Sequence, residues 1–227
     1  MPILWKNDDE LFALARAELF TAVVGDIMDT LGARDQFLSP RLQPLEPGMK
    51  AVGRAMTVLE RDTDPEEAAA PAGKPFGLML EALDDLRPNE IYFCAGASPT
   101  SALWGELMSA RAAACGAAGA VVDGYSLDTE GILKLGFPNF SYGSYAQDQA
   151  PRGTVVDFRV HLKVGKVGIA PGDLLFADRD GVCAVPRNME TEVVTLALEK
   201  ARGEKTVMKA IQAGMSARDA FAKYGIM

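Results

Sequence analysis

The segment from Glu90 to Thr129 constrains the fold more than any other part of this chain. Glu90–Ala95 (EIYFCA) is a short apolar run bounded by the turn residues Arg87-Pro88-Asn89, and it reads as a strand. The stretch Trp104–Thr129 (WGELMSARAAACGAAGAVVDGYSLDT) reads as helix, tight turn, strand and then an acidic loop. Strand, helix and strand make a βαβ unit, which crosses over right-handed and sets its strands parallel. The start of the helix at Gly105–Leu107 and the end of the second strand at Asp123 then share one edge of the sheet. Ligands of open α/β sheets bind at that edge. The helix start offers free backbone N–H groups to an anion. The loop offers Asp123 and Asp128 as oxygen donors for a hard cation.

Composition removes several classes of function. The chain has 227 residues, 48% of them hydrophobic, enough for a sizeable core. Its net charge of −8 disfavours nucleic acid as a partner, because phosphate requires a basic surface. No apolar run approaches the ~20 residues that span a bilayer, and the opening MPILWKNDDELF has no signal-peptide pattern. A cytoplasmic protein is the expectation. Three widely spaced cysteines, Cys94, Cys115 and Cys183, fit reduced, mostly buried thiols. The single histidine, His161, lies in the alternating run Val155–Val164 and reads as a strand residue with no catalytic role. An enzyme built on this chain therefore uses carboxylates, a metal and water.

Along the rest of the chain, Asp8–Leu19 and Ala22–Leu31 read as helices, the second capped by Thr21 and stopped by Gly32. After a connector with Pro40, Pro44 and Pro47 comes a strand, Ala51–Leu59. Arg61–Lys74 has no apolar periodicity and reads as an exposed loop, and Pro75–Leu86 as a helix with proline in its first turn. A short helix covers Thr129–Leu135, and Pro138–Tyr142 is a short strand. Strands then crowd together at Thr154–Val164, around Gly165–Ile169, at Asp173–Phe176 and at Val182–Val185, separated by the turns PGD and DRDG. The chain ends in helices: Met189–Ala201, an interruption at Gly203, Val207–Ala213, and a last helix capped by Ser216. The expected architecture is α/β, with a central βαβ unit, a mixed or barrel-like sheet and helices at both ends (residues 1–33 and 188–227), all in one domain.

Four motifs in this order resemble the RraA-like family: TAVVGDIMDTLGA (21–33), LQPLEPGMKAVGRAMTV (42–58), ALWGELM (102–108) with AGAVVDG (118–124), and PGDLLFADRDGVCAVP (171–186). The family includes class II pyruvate aldolases, which cleave 4-hydroxy-4-methyl-2-oxoglutarate and 4-carboxy-4-hydroxy-2-oxoadipate, and the regulator of ribonuclease activity. The resemblance implies a β/β/α swivelling-domain fold, homotrimers often paired as homohexamers, and active sites between subunits. It implies that backbone N–H groups of Leu107 and Met108, beside Gly105, hold a pyruvate carboxylate. It further implies that Glu106 supports Mg²⁺ or Mn²⁺ through water and that Asp128 holds the ion, with Asp123 nearby.

One position departs from the pattern. The family arginine that binds the pyruvyl oxygens falls on Leu127, and a leucine gives neither bidentate recognition nor charge. The next acidic position of the pattern falls on Gly131, with Glu130 one place early. Tyr125 and Ser126 are candidates to fill the vacated space and contact a ligand. Arg152 reads as a solvated surface residue, and Arg111 as pointing away from the helix start. For Glu106 and Asp128 there are structural alternatives: a favourable helix-dipole contact for the first and a helix cap for the second. Three functions stay open. One is a metal-dependent lyase, by retro-aldol cleavage or decarboxylation, whose small 2-oxo acid substrate is altered, or its activity weakened, by Leu127. Another is a non-catalytic regulatory or binding protein with a basic partner. The third is a sugar-acid or aromatic-acid enzyme working by hydration or isomerisation.

Overall fold

A computed structural model describes residues 3–64 and 76–226. Most of the predicted loop Arg61–Lys74, and Pro75, lie outside the described residues; Arg61 and Asp62 instead extend a strand. The elements run α1 (Asp8–Glu18), α2 (Thr21–Thr30), β1 (Gln43–Pro44), β2 (Ala51–Asp62), α3 (Met79–Asp84), β3 (Glu90–Ala95), β4 (Ala102–Trp104) and α4 (Glu106–Ala114). They continue with β5 (Gly119–Val122), β6 (Tyr125–Ser126), α5 (Thr129–Leu135), β7 (Asn139–Ser141), β8 (Gly153–Phe158), β9 (Leu162–Val164) and β10 (Val167–Ile169). Last come β11 (Leu174–Asp178), β12 (Gly181–Val185), α6 (Glu190–Gln212) and α7 (Ala217–Tyr224).

The main sheet is ordered β1-β7-β5-β3-β2-β11-β12, with β8 also paired to β2. Its centre is parallel: β2 with β3, β3 with β5 and β5 with β7. Its flanks are antiparallel, where β11 pairs with both β2 and β12 and β8 pairs with the far half of β2. β2 can serve three strands, β3, β11 and β8, because it is twelve residues long and shifts register at Leu59/Glu60. The sheet curls into a nearly closed barrel, and the predicted βαβ unit is its β3-α4-β5 portion.

Side-chain alternation sorts the core into layers. On β3, Ile91, Phe93 and Ala95 point into the barrel with Val121, Leu175 and Ala184. Tyr92 and Cys94 point outward beneath α3 and α4, with Met56, Val58 and Trp104. All six residues of β3 are buried, as expected of a parallel strand covered on both faces. A third layer packs α1, α2 and α6 through Leu11, Val24, Val194 and Leu198 onto the outer face of β11 and β12. Arg54 on β2 ties it down, bonded to Asp8 at 2.6 Å and to the buried Glu190 of α6. The three cysteines are free thiols, Cys94 and Cys183 buried. No helix among the described residues is long and apolar enough to cross a membrane.

The structure corrects several boundaries. α6 is one unbroken helix through Gly203, where a Cβ would stand 2.5 Å from Ile226 Cδ1, so the glycine makes room for the returning C-terminus. The expected strand 154–164 breaks after Phe158 at Arg159, whose φ is +55°. That leaves His161 exposed between two strands instead of within one. β1, β4 and β6 have two or three residues each, too short for a period-2 pattern to register.

Candidate active site

α4 begins at Gly105, whose backbone is extended (φ −147°, ψ −176°) and which provides no side-chain cap. The first-turn N–H groups, including those of Leu107 and Met108, therefore have no intrahelical partner. Short strands β4 and β6 pair in parallel immediately before this turn, and Leu127 N–H donates to Trp104 carbonyl at 2.9 Å. That pairing draws the Leu127–Asp128 turn over the helix start. A Cβ built on Gly105 would stand 3.1 Å from Leu127 Cδ1 and 3.6 Å from Asp128 Oδ2. Gly105 thus permits the close approach of both side chains.

Asp128 occupies the N-cap of α5 in left-handed backbone (φ 51°, ψ 36°), and its side chain does not cap that helix. The capping alternative therefore fails. Glu106 lies across α5, where a Cβ on Gly131 would overlap its Cδ and Oε2. The acidic side chain missing at 131 thus leaves space that Glu106 fills from the facing helix. Neither Glu106 nor Asp128 has a hydrogen-bond or ion-pair partner among the described residues.

Both carboxylates open into a cavity of about 460 Å³. Its floor is Trp104, 1% exposed, whose Nε1–H donates to Ser109 Oγ at 2.7 Å and whose ring lies 4.9 Å from that of Tyr92. Leu127 and Met108 line one side, and Phe76, Met79, Leu80 and Leu83 from α3 and its approach form the other. These last four recur at i, i+3, i+4 and i+7, a stripe legible in the sequence although the sequence alone assigned α3 no role. Arg111 reaches the rim and pairs with Asp84 at 2.8 Å, against the expectation that it points away. Arg152 is an exposed residue that donates to Asp148 carbonyl. Asp148 and Gln149 complete the lining from the loop bridged to β4, with Gln149 N–H donating to Ala102 carbonyl at 3.0 Å.

Two predicted site residues fall elsewhere. Asp123 lines a second cavity, with Arg34, Ser39, Tyr142 and Lys166, and accepts a hydrogen bond from Tyr142 Oη. Burial and that bond push the Tyr142 phenol up to about 12. Tyr125 stands in an aromatic group with Tyr142 and Tyr145 and accepts from Arg41 Nη2 at 3.2 Å, outside the first cavity's lining. Among the described residues, no group of three or more His, Cys, Asp or Glu side chains gathers to hold a metal ion. The pair Glu106 and Asp128 could offer hard oxygens to an ion such as Mg²⁺, which binds through one or two carboxylates and keeps several waters.

The same arrangement of elements occurs in known proteins. The chain is 28% identical over 202 residues to the Halalkalibacterium halodurans protein named "Putative 4-hydroxy-4-methyl-2-oxoglutarate aldolase", covering 88% of this chain and 89% of that one. It is 26% identical over 205 residues to Protein DlpA of Legionella pneumophila, covering 90% of this chain but only 32% of that longer protein. In structure it resembles Streptomyces coelicolor RraAS2, described as an unusual member of the RNase ES inhibitor RraA protein family, with a TM-score of 0.76, 24% identity, and coverage of 89% of this chain and 98% of that one. The model of the RraA-like family (Aldolase/RraA) matches residues 21–184, from α2 through both edges of the cavity to β12. The chain is therefore a member of the RraA-like family.

Proposed function

We propose that this protein is a cytoplasmic, divalent-metal-dependent lyase that cleaves a small 2-oxo acid by retro-aldol cleavage or decarboxylation. The observation that carries this function is the convergence of two unpartnered carboxylates, Glu106 and Asp128, with the free N–H groups of α4 at the mouth of one walled cavity. The aldolase name of the Halalkalibacterium relative agrees with it.

Glu106 and Asp128 would hold Mg²⁺ or Mn²⁺. When bound, such an ion polarises a 2-oxo group and takes up negative charge that develops on its oxygen. The Leu107 and Met108 N–H groups, at the positive end of α4, hold and orient the substrate carboxylate. The left-handed backbone at Asp128 fixes its carboxylate against Gly105 before any ligand arrives, so the reacting end meets a preorganised site. Trp104, Leu127 and Met108 exclude water from the opposite side. The protein acts as a homotrimer or a pair of trimers, with a neighbouring subunit closing the exposed side of the cavity, where Leu107 is 85% exposed.

The decisive experiment combines Mn²⁺ titration with pyruvate release from oxaloacetate and from 4-hydroxy-2-oxo acids. The native chain should bind the ion and turn over at least one substrate. Glu106→Gln and Asp128→Asn should each lose both properties while keeping the native melting temperature. A native chain that neither binds the ion nor releases pyruvate would overturn the lyase assignment. A stoichiometric nuclease partner recovered with that inert chain would point to the regulatory alternative.

A further inference from the structure

We propose that the cavity selects a 2-oxo acid carrying an apolar tail, a branched alkyl or aryl group, in preference to one carrying a second carboxylate. This rests on the lyase function above and specifies its substrate class. Glu106, Asp128 and the start of α4 meet at one end of the cavity, and Asp84, Arg111, Asp148 and Gln149 also line it. Much of the remaining wall is hydrocarbon, from Leu127 and Met108 together with Phe76, Met79, Leu80 and Leu83. Trp104 contributes ring surface alone, because its N–H is engaged by Ser109. Leu127 packs within 3.1 Å of the Cβ position of Gly105, so the apolar wall begins directly beside the acid-binding end.

Charge argues the same way. The lining carries four carboxylates, Asp84, Glu106, Asp128 and Asp148, against one guanidinium, Arg111, which is bonded to Asp84. One bound divalent ion leaves that lining net negative, so a distal carboxylate on the substrate would meet repulsion with no free cation among the described lining residues to offset it. A volume of about 460 Å³ accommodates a three-carbon oxo-acid head together with a tail the size of a leucine or phenylalanine side chain.

Calorimetric titration of the Mn²⁺-loaded protein with four oxo acids tests the proposal: pyruvate, 2-oxoglutarate, 4-methyl-2-oxopentanoate and phenylpyruvate. The last two should bind at least roughly tenfold tighter than 2-oxoglutarate, as burial of a few additional carbons predicts. Leu80→Gln alters a residue that is 56% exposed, so the fold tolerates it. It should weaken the two apolar acids roughly threefold or more and leave pyruvate unchanged. Leu127→Arg should reverse the order in favour of 2-oxoglutarate. Binding of Mn²⁺ and pyruvate with no preference for the apolar acids, or a Leu80→Gln effect equal on all four, overturns the substrate class while the lyase function stands. Failure of every oxo acid and of Mn²⁺ to bind removes the lyase function, and this inference with it.

Discussion

Replacing Glu60 by its amide isostere should remove most of the pH dependence of this protein's stability between pH 5 and pH 8. Glu60 follows the register shift on β2 and is 2% exposed, in the layer that holds Tyr92 and Cys94. Its Oε2 accepts a hydrogen bond from Gln149 Nε2. Desolvation by burial raises the carboxyl from an ordinary 4.5 to about 8, against a smaller opposing contribution from a hydrogen bond with Cys94. The sign follows from linkage. Below pH 4.5 folded and unfolded chains both carry the proton, and burial of the acid costs little. As pH rises from 4.5 towards 8 the unfolded chain releases its proton while the folded chain keeps it, so the fold weakens. At 1.36 kcal/mol per pH unit the full loss is about 5 kcal/mol, most of which falls between pH 5 and pH 8. Glu60→Gln is neutral throughout and retains an oxygen to accept from Gln149. Urea unfolding of both chains at pH 5, 6.5 and 8 should show the variant gaining on the native chain by several kcal/mol across that range, with equal m-values. Parallel stability curves would show that Glu60 ionises in the folded state as readily as in water, and would refute the argument.

Other outcomes follow from single contacts. Arg54→Met leaves Glu190, 8% exposed, without its cation and should destabilise the fold by about 3–5 kcal/mol in urea unfolding, with α1 and α6 the first elements to lose amide protection. Gly53→Ala places a methyl into the Asn89 carbonyl, a backbone atom that also accepts from Arg54 N–H at 2.9 Å. It should cost about 1–3 kcal/mol by the same measurement. Gly131→Ala displaces the Glu106 side chain, which is solvent-exposed and free to swing away. Mn²⁺ affinity read by electron paramagnetic resonance should fall roughly tenfold, with stability within about 0.5 kcal/mol of native. Unchanged Mn²⁺ affinity would show that Glu106 holds no ion.

Sequence by itself determined the parts of this protein that depend on local pattern. The apolar run EIYFCA, the helix opened by Gly105 and the strand ending at Val122 form the predicted parallel unit, because each signal lies within one element. Gly105, Glu106, Leu107, Met108, Asp123, Tyr125, Leu127 and Asp128 read as one neighbourhood, and all of them except Asp123 and Tyr125 line one cavity. Tertiary structure decided which of the acidic loop residues face that cavity. Side chains at 123 and 128 are only five residues apart, yet the pairing of β6 with β4 sends them to different cavities, and no periodicity in the sequence encodes that turn. The apolar wall from α3 was visible as a stripe, but a stripe does not say what it faces; its docking across from Leu127 was set by the sheet beneath both. Gly131 read as a missing ligand position and became the space for Glu106 only when α4 and α5 packed side by side. The raised pKa of Glu60 was equally hidden, since it arises from exclusion of water by three strands and a loop that are distant in the chain.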